Sequence, residues 1–374
     1  MAPPVTAFTV VQRSGAARAG ALHTAHGTIH TPAFMPVGTH AAIRALLPGE
    51  VRAAGAEVLL CNAYHLALRP GVELIERAGG LHAFMGWNGP ILTDSGGYQL
   101  VSLGRVTRVD DEAADFVSPF DGTSLRVTPE LAMDIQVRLG ADIVMCLDHP
   151  VAWGARQELV RAATERTHRW AQRCRDAMPA GDRLLFGIAQ GGFDASLRTE
   201  SARAVAAMGF DGLAVGGLSV GEPHDVMHAM LEASLSQFPE ERPRYFMGLG
   251  TDAEILAAVS AGVDLFDCVV PTRLARHATA VTDEGRISLR KAGYREDLRP
   301  LEAGCDCVAC ASFSRAYLRH LFGTGDILAH RLVTVHNLTH MSRLMAGVRS
   351  AIVAGAFPQL QMSVQSGRPA SAAG

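Results

Sequence analysis

The sequence lacks several features that mark particular protein classes. No uninterrupted apolar run approaches the roughly 18 residues of a membrane span, and the opening Met1-Ala-Pro-Pro-Val-Thr lacks the charged and apolar segments of a signal peptide. Lysine is nearly absent, since Lys291 is the only one among 34 basic residues, so almost every cationic contact must come from arginine. We therefore expect a cytoplasmic protein that does not span a membrane.

The composition is that of a folded, globular chain. The 374 residues are 48% hydrophobic and 19% charged, enough for one large core or two smaller ones, which excludes a disordered chain and a disulfide-stapled miniprotein. Seven cysteines are an odd number, and three of them crowd into Cys305-Asp-Cys307-Val-Ala-Cys310. This crowding favours metal ligation over a secreted disulfide framework.

The charge is unevenly distributed along the chain. The net charge is −3, yet the stretch from Arg273 to Arg349 has 12 Lys and Arg residues against 7 Asp and Glu residues. A basic segment on an acidic body predicts that this segment contacts a polyanion. Charge alone leaves an ordinary fluctuation along the chain as an equal alternative.

Short apolar runs rich in β-branched residues alternate with longer helical patterns. Thr128-Pro129-Glu130 and Thr251-Asp-Ala-Glu254 have the spacing of helix starts. Eight strand–helix units in a chain of this size predict a (β/α)8 barrel, and a doubly wound open sheet is the main competitor. The eight predicted strands are Pro32–Val37, Glu57–Cys61, Pro90–Thr93, Asp142–Leu147, Arg183–Ala189, Gly212–Val215, Arg244–Met247 and Val263–Val269.

Polar residues and glycines gather where six of these strands end. One aspartate at a strand end is more often a turn residue or a helix cap. Six strand ends of this kind together indicate an enzyme site, because barrel enzymes assemble their sites at the carboxyl ends of the strands. The residues are Asp94 and Tyr98, Asp148, Gln190, Gly217 with Leu218, Met247, and Asp267.

The cysteine cluster predicts a zinc site. Three thiolates with His336, which follows Cys310 after 25 intervening residues, would complete a closed tetrahedral shell around one structural Zn²⁺ ion. Spacing alone leaves His320, His330 and His340 as alternative fourth ligands. We expect the remaining cysteines to be buried small apolar side chains; these are Cys61, Cys146, Cys174 and Cys268.

Taken together, five motifs resemble those of the tRNA-guanine transglycosylases over residues 34–357. The motifs are Leu92-Thr-Asp94-Ser-Gly-Gly-Tyr98-Gln, Gly187-Ile-Ala-Gln190-Gly-Gly, Ala214-Val-Gly-Gly217-Leu-Ser-Val-Gly-Glu222, Phe266-Asp267-Cys-Val-Val-Pro-Thr-Arg273 and the cysteine–histidine set. The resemblance implies a (β/α)8 barrel with an appended C-terminal zinc-binding subdomain. We expect residues 1–272 to form the main part of the barrel. Residues 273–349 would form the basic zinc subdomain and the return to the barrel, and residues 350–374 a terminal helix and a flexible tail.

The resemblance also implies a reaction. Members of this family are pentosyltransferases, and the bacterial enzymes exchange the wobble guanine of GUN-anticodon tRNAs (Asp, Asn, His and Tyr) for 7-aminomethyl-7-deazaguanine, a queuosine precursor. By resemblance Asp267 is the nucleophile that forms a covalent bond to the ribose, and Asp94 is the general acid/base, which suits displacement at an anomeric carbon. No redox or nucleotide cofactor is implied.

Base recognition is carried over in the same way. Asp148 matches the position that accepts hydrogen bonds from the guanine N1–H and exocyclic amine, while Gln190 and the Gly217 N–H address O6. The carbonyl of Leu218 would accept the aminomethyl ammonium, and Tyr98 and Met247 would sandwich the ring.

RNA contacts and a homodimer complete what the resemblance implies. Arg273 and Arg276 are expected to touch anticodon bases or phosphates. The sequence departs from the family pattern at two places. At His149-Pro150 the family usually has a cysteine in the pocket wall, and His277-Ala278 replaces the usual residues after the second arginine. Val220, in contrast, is the residue that the bacterial members have at its position. These positions point to different incoming bases, so the resemblance predicts the type of reaction more firmly than it predicts which base is incorporated.

Rival functions remain open at this stage. A queuine-salvaging transglycosylase differs only in the incoming base. A non-catalytic tRNA-docking subunit would be expected to lose Asp94 or Asp267, and a metallohydrolase would need metal ligands at the barrel mouth. Modification of DNA or of another tRNA position is the last alternative.

Overall fold

The computed structural model describes residues 7–98, 100, 106–118 and 120–365, with only the backbone at 106, 107 and 365. The strands are β1 (Phe8–Ser14), β2 (Ala17–Thr24), β3 (Gly27–Thr31), β4 (Ala33–Pro36), β5 (Leu59–Asn62), β6 (Ile91–Asp94), β7 (Val106–Val109), β8 (Ala114–Val117), β9 (Ser124–Val127), β10 (Ile143–Met145), β11 (Leu184–Ala189), β12 (Gly212–Val215), β13 (Arg244–Phe246), β14 (Leu265–Cys268), β15 (Thr279–Thr282) and β16 (Gly285–Ser288). The α-helices are α1 (Pro48–Ala53), α2 (Ala63–Leu68), α3 (Val72–Arg77), α4 (Gly80–Met85), α5 (Pro129–Leu139), α6 (Gln157–Ala177), α7 (Ala195–Ala207), α8 (His224–Leu235), α9 (Asp252–Ser260), α10 (Val270–Arg276), α11 (Val308–Ser312), α12 (Arg315–Thr324), α13 (Ile327–Val353) and α14 (Phe357–Gln365).

Eight parallel strands form a closed barrel. Around it the order is β4, β14, β13, β12, β11, β10, β6 and β5, and a parallel bridge between Val37 and Leu60 joins β4 to β5. Each of the eight predicted segments overlaps one of these strands. The predicted (β/α)8 barrel is confirmed, and closure excludes the open doubly wound sheet.

Three further β units surround the barrel and were not predicted from the sequence. The antiparallel sheet β1–β2–β3 lies at the amino-terminal end of the barrel strands, where Arg18 pairs with Asp264 just before β14. A second sheet, β7–β8–β9, is inserted between β6 and α5, and Trp170 of α6 donates its indole N–H to the carbonyl of Asp111 at 2.8 Å. The third unit is the hairpin β15–β16.

Both predicted helix starts are present, although one is capped differently. The Thr128 hydroxyl accepts a hydrogen bond from the Leu131 N–H, so it caps α5, with Pro129 at the first helical position. Helix α9 begins at Asp252 as its spacing predicts, but the Thr251 side chain accepts no backbone N–H. Its hydroxyl instead donates to the carboxylate of Glu254, so these two side chains bond to each other and the reciprocal side-chain-to-backbone bonds of a capping box are not formed.

The C-terminal lobe (β15, β16, α11 and α12) has a small core of its own. Buried Ile287, Leu301 and Leu318 pack there with the three clustered cysteines. Helix α13 packs against this lobe on one side and against β1, β2 and β4 on the other. Asn337 of α13 donates to the carbonyls of Pro271 and Thr279 and accepts from the Val281 N–H, which fixes the lobe to the barrel.

The four cysteines outside the cluster are buried free thiols, as predicted; they are Cys61, Cys146, Cys174 and Cys268. Within the described residues, no helix combines the length and the apolar character needed to cross a membrane. The expected tail beyond residue 365 lies outside the described part of the chain.

Candidate active site

A cleft opens at the carboxyl ends of the barrel strands and contains three carboxylates. Its volume is about 430 Å³, within the roughly 300–1,000 Å³ of small-molecule sites. Asp94, Asp148 and Asp267 all line it, each from a different strand end. The same cleft is lined by Tyr98, Gly217, Leu218, Met247 and Arg273.

Asp267 is held in place through one of its two oxygens. Its Oδ1 accepts hydrogen bonds from the Tyr245 hydroxyl at 2.6 Å and from the Gly248 N–H at 2.9 Å. Burial raises the pKa of the Asp267 carboxyl above its usual value, and these two hydrogen bonds oppose the rise. Both donors bind Oδ1, so they fix the orientation of the carboxylate while neither of them bonds to Oδ2.

Asp94 is anchored by the neighbouring strand β5. It is the last residue of β6 and is buried, and the two strands pair Asn62 with Asp94. The Ala63 N–H donates to Oδ1 at 2.8 Å, and the Asn62 side-chain amide donates to Oδ2. Asp94 and Asp267 therefore face the same cleft from strands three positions apart around the barrel.

Asp148 on the cleft lining and Gln190 behind it form a buried pair. The Gln190 Nε2 donates to Asp148 Oδ2 at 2.6 Å, and both side chains are less than 5% exposed. Burial raises the pKa of the Asp148 carboxyl to about 7; the Gln190 hydrogen bond opposes the rise and the charge of Asp94 adds to it. The Gln190 Oε1 is buried and finds no hydrogen-bond partner among the described residues. Asp148 is therefore the member of the pair that a ligand in the cleft can contact, with Gln190 bonded behind it.

Two glycines make room for this pair. A Cβ at Gly97 would lie 1.8 Å from Asp148 Oδ1, and a Cβ at Gly217 would lie 2.3 Å from Gln190 Oε1. Gly217 also has φ +69°, in the left-handed region that favours glycine. The Gly-Gly steps in both motifs are therefore required by the close approach of backbone to side chain.

The predicted ring contacts lie on the cleft wall. Tyr98 is 58% exposed, while Met247 is half-buried and Leu218 is 3% exposed. Gln190 does not reach the lining itself and contacts it through Asp148. The structure therefore brings all the predicted base-recognition residues except Gln190 to the lining of one cleft.

Arginines form a cationic rim beside the cleft. Arg273 lines the mouth and is exposed, and Arg276 of the same helix is half-buried. Burial lowers the pKa of the Arg276 guanidinium, and the positive charges of Arg44 and Arg273 lower it further. Arg44 was not predicted to be part of this rim, because no motif near it in the sequence indicates such a position.

The two residues of the unusual His149-Pro150 pair lie in different surroundings. Pro150 lines the cleft, whereas the His149 ring stacks on Trp170 at 6.2 Å and its Nδ1 lies 3.1 Å from Arg166 Nη1. Since an arginine N–H can only donate, His149 Nδ1 is the acceptor. Burial and Arg166 lower the pKa of His149 to about 4, so the ring is neutral at pH 7.

Cys305, Cys307, Cys310 and His336 form one cluster that could hold a metal ion. The three sulfurs lie 3.7, 3.7 and 3.3 Å from His336 Nδ1, close to the separation of about 3.6 Å expected for sulfur and nitrogen ligands on tetrahedral zinc. His336 Nε2 lies 2.8 Å from the Val281 carbonyl, so it carries the proton and leaves the Nδ1 lone pair for the metal. This geometry selects His336 from the four candidate histidines.

Two residues of the site were not predicted from the sequence. Asn62 ends β5 and donates to Asp94, and the rule applied to the other strand ends would have identified it. Tyr245 donates to Asp267 but lies inside β13, where an isolated tyrosine is normally a core residue. Its role depends on the neighbouring strand and has no local sequence signal.

Fold and site together define a barrel enzyme with three carboxylates lining one cleft, a set of groups suited to displacement at a glycosidic carbon, and a separate lobe that could hold a metal ion. A family model described as queuine tRNA-ribosyltransferase matches residues 13–370. Proteins named queuine tRNA-ribosyltransferase are 49% identical in Pelotomaculum thermopropionicum (95% of this chain, 96% of the relative), 50% in Gluconacetobacter diazotrophicus (94% and 91%) and 48% in Thermus thermophilus (94% and 91%). The chain belongs to the queuine tRNA-ribosyltransferase family, the tRNA-guanine transglycosylases.

Proposed function

We propose that this protein exchanges the wobble guanine of GUN-anticodon tRNAs for 7-aminomethyl-7-deazaguanine by double displacement. The observation that carries the proposal is the convergence of Asp94, Asp148 and Asp267 on one cleft at the carboxyl ends of the barrel strands. Family membership supports the class of reaction. The tRNA set, the incoming base and the covalent step are our inference.

Asp267 is the nucleophile in this mechanism. Its Oδ2 attacks ribose C1′ while Oδ1 stays bonded to Tyr245 and Gly248. The C1′–N9 bond breaks, its electron pair leaves with guanine, and the tRNA stays attached to Asp267 through C1′. The tRNA backbone is not cut, because only the bond to the base is exchanged.

Asp94 handles the protons. It gives a proton to the departing guanine and later takes the N9 proton from the incoming base, whose nitrogen then displaces Asp267 from C1′. The hydrogen bonds from Ala63 and Asn62 fix its orientation across the cleft. Both displacements invert C1′, so the configuration is retained overall.

The base is read at its polar edge. Asp148 accepts from N1–H and the exocyclic amine. Gln190 donates to Asp148 from behind the lining, and a base that enters as deep as this pair would receive the second hydrogen of Nε2 at O6. The Gly217 N–H addresses O6 as well, and the Leu218 carbonyl faces the aminomethyl ammonium. Tyr98 and Met247 cover the ring faces.

One zinc ion held by Cys305, Cys307, Cys310 and His336 would be structural. Four protein ligands leave no open position, so the metal supplies stability to the lobe and no chemistry at the cleft. Metal-binding groups of this kind in the described residues lie outside the cleft. This distribution argues against the metallohydrolase.

The retained carboxylates favour an enzyme over a non-catalytic docking subunit. Val220 and Pro150 both line the cleft, so the incoming base is decided where these two side chains meet the 7-substituent. Competition between 7-aminomethyl-7-deazaguanine and queuine for the labelled-guanine reaction measures the preference directly. The homodimer and the cytoplasmic location both stay predictions. Light scattering on the purified protein tests the oligomeric state.

The deciding experiment is incorporation of labelled guanine into unmodified GUN-anticodon tRNA by the zinc-loaded protein. Asp267→Ala and a tRNA without the wobble guanine should both abolish incorporation. Asp225→Ala, which removes an exposed carboxylate on α8, serves as the matched control and should leave it unchanged. Full activity of Asp267→Ala would overturn the nucleophile assignment, and no incorporation by the folded wild type would overturn the proposed function.

A further inference from the structure

Arg198 is a fully buried cation that lies behind the base-recognition residues. It belongs to α7, it is 0% exposed, and it forms no ion pair with a carboxylate among the described residues. Its guanidinium is bound by backbone carbonyls alone among the described residues. Burial lowers the pKa of Arg198 to about 9, with Glu222 opposing, so the group stays charged at pH 7.

The carbonyls that bind Arg198 belong to the glycine turns of the site. Nε donates to the Gly192 carbonyl at 2.8 Å and Nη1 to the Gly216 carbonyl at 2.8 Å. Longer contacts of 3.4 Å reach the carbonyls of Ala189 and Gly217. One guanidinium therefore joins the turn after β11, which carries Gln190, to the turn after β12, which carries Gly217.

The Gly216 carbonyl and the Gly217 N–H are the two ends of one peptide group. Among the described residues, cis peptides occur only before Pro32 and Pro70, so this peptide is trans and its N–H points away from the carbonyl. Arg198 holds the carbonyl end, and Gly217 lies on the cleft lining. The N–H end is consequently turned away from Arg198.

A buried cation at the carbonyl end makes the N–H end a better donor. Hydrogen bonds polarise one another along a peptide, more strongly where water is excluded. When the C1′–N9 bond breaks, its electron pair is delocalised over the guanine ring to O6 until the proton from Asp94 arrives. Donors already oriented toward developing charge stabilise such a state without reorganisation.

We infer that Arg198 is a positioning residue of the base exchange, which orients and polarises the Gly216–Gly217 peptide so that its N–H stabilises O6 of the departing guanine. This inference rests on the proposed function. It explains why a charge that is costly to bury without a counterion lies under two glycine turns. Arg198 touches neither base nor ribose, so its effect must pass through the peptide.

The test compares Arg198→Met and Arg198→Lys with the wild type. Arg203→Met, which removes an exposed arginine from the same helix, is the matched control. Steady-state guanine exchange gives kcat and the KM values for guanine and tRNA, and calorimetry gives the guanine Kd. For Arg198→Met we expect at least a tenfold loss in kcat/KM for guanine with the KM for tRNA within twofold of wild type; Arg198→Lys should recover part of the loss.

A change of ligand separates this effect from a general loss of structure. 6-Thioguanine keeps both N–H donors for Asp148 but replaces O6 by a weaker acceptor, so the wild type should prefer guanine clearly. In Arg198→Lys the ratio of kcat/KM for guanine to kcat/KM for 6-thioguanine should fall toward one, because the contact to O6 is already weakened. If Arg198→Met does not fold, this ratio in Arg198→Lys decides alone.

The possible failures are distinguishable. An unchanged guanine preference and unchanged kcat in a folded Arg198 variant would overturn the inference and leave the proposed function intact. Equal losses for guanine and 6-thioguanine would assign Arg198 a purely structural role and also overturn it. A wild type that neither binds nor exchanges guanine would overturn both.

Discussion

At the residue scale, the proposed base pocket depends on a carboxylate that is costly to keep ionised. Asp148 lines the cleft with its pKa raised to about 7 by burial, while Gln190 donates to one of its oxygens. A bound base that donates two hydrogen bonds stabilises the ionised form. Base binding and ionisation of Asp148 are therefore coupled.

This coupling predicts a pH-dependent affinity for guanine. Below pH 7 the free protein carries a proton on Asp148 that must be lost before binding, so the calorimetric Kd should rise about tenfold between pH 8 and pH 6 and level off above pH 8. Asp148→Asn should bind weakly at every pH in this range. A flat profile for the wild type would remove Asp148 from the contact.

A second residue-scale prediction concerns Tyr245. Its hydroxyl donates to the ionised form of Asp267, so Tyr245→Phe should raise the pKa of Asp267 and move the acid limb of kcat/KM to higher pH. Loss of one charge-assisted hydrogen bond, about 1.5–3 kcal/mol, corresponds to a roughly 10- to 150-fold lower kcat if it acts fully in the transition state. An acid limb at the wild-type position would show that Tyr245 does not control Asp267.

At the element scale, the sequence predicts the barrel better than its attachments. Each barrel strand is a short apolar run between helices, and burial on both faces makes that pattern continuous and easy to read. Strands β1–β3 and β7–β9 carry exposed polar residues on one face and depend on packing against the barrel and α6, which no local pattern shows. The predicted site followed from strand ends, whereas Tyr245 and Arg198 required the tertiary structure.

The N-terminal sheet is held to the barrel by a buried ion pair. Arg18 Nε donates to Asp264 Oδ1 at 2.8 Å, and its other nitrogens bond Asp264 Oδ2 and the carbonyls of Glu240 and Arg242. Both side chains are at most 1% exposed. Removing Arg18 would leave the buried Asp264 carboxylate without its paired guanidinium and with the Arg244 N–H as its remaining hydrogen-bond donor among the described residues.

Arg18→Met should therefore lower the free energy of unfolding by about 3–5 kcal/mol, measured by urea denaturation. The specific activity of the folded fraction should stay near wild type, since the pair lies at the end of the barrel opposite the cleft. The double variant Arg18→Met/Asp264→Leu should be less destabilised than Arg18→Met alone. A loss below about 1 kcal/mol in the single variant would contradict this account.

At the scale of the whole molecule, the metal-binding lobe and the barrel share helix α13. His336 of this helix completes the metal cluster, and the next residue, Asn337, bonds the backbone of both units. Metal bound at the cluster therefore stabilises the lobe and its position beside the rim arginines. Elemental analysis of the purified protein should find one zinc per chain.

Loss of the metal should disrupt the lobe before the barrel. Cys307→Ser should lose the zinc, lower the melting temperature and weaken tRNA binding, while guanine binding at the cleft persists. Cys174→Ala, a buried cysteine outside the cluster, should keep one zinc per chain. Zinc retained in full by Cys307→Ser would refute the ligand assignment.

The basic stretch that we predict to contact tRNA begins beside the cleft. The excess of basic residues from Arg273 to Arg349 begins at the cleft mouth, where the charges of Arg44 and Arg273 help to lower the pKa of the Arg276 guanidinium. Each arginine that neutralises a phosphate releases condensed counterions, so tRNA affinity should fall steeply with salt.

The rim arginines can be tested through this salt dependence. Arg273→Ala and Arg276→Ala should each lower the slope of log K against log salt by about 0.7–0.9 for every phosphate that the variant no longer neutralises. Arg13→Ala, near the opposite end of the barrel beside Glu240, should leave the slope unchanged. If both rim variants kept the wild-type slope, these arginines would contact bases or solvent, and the phosphates would have to be bound elsewhere on the lobe.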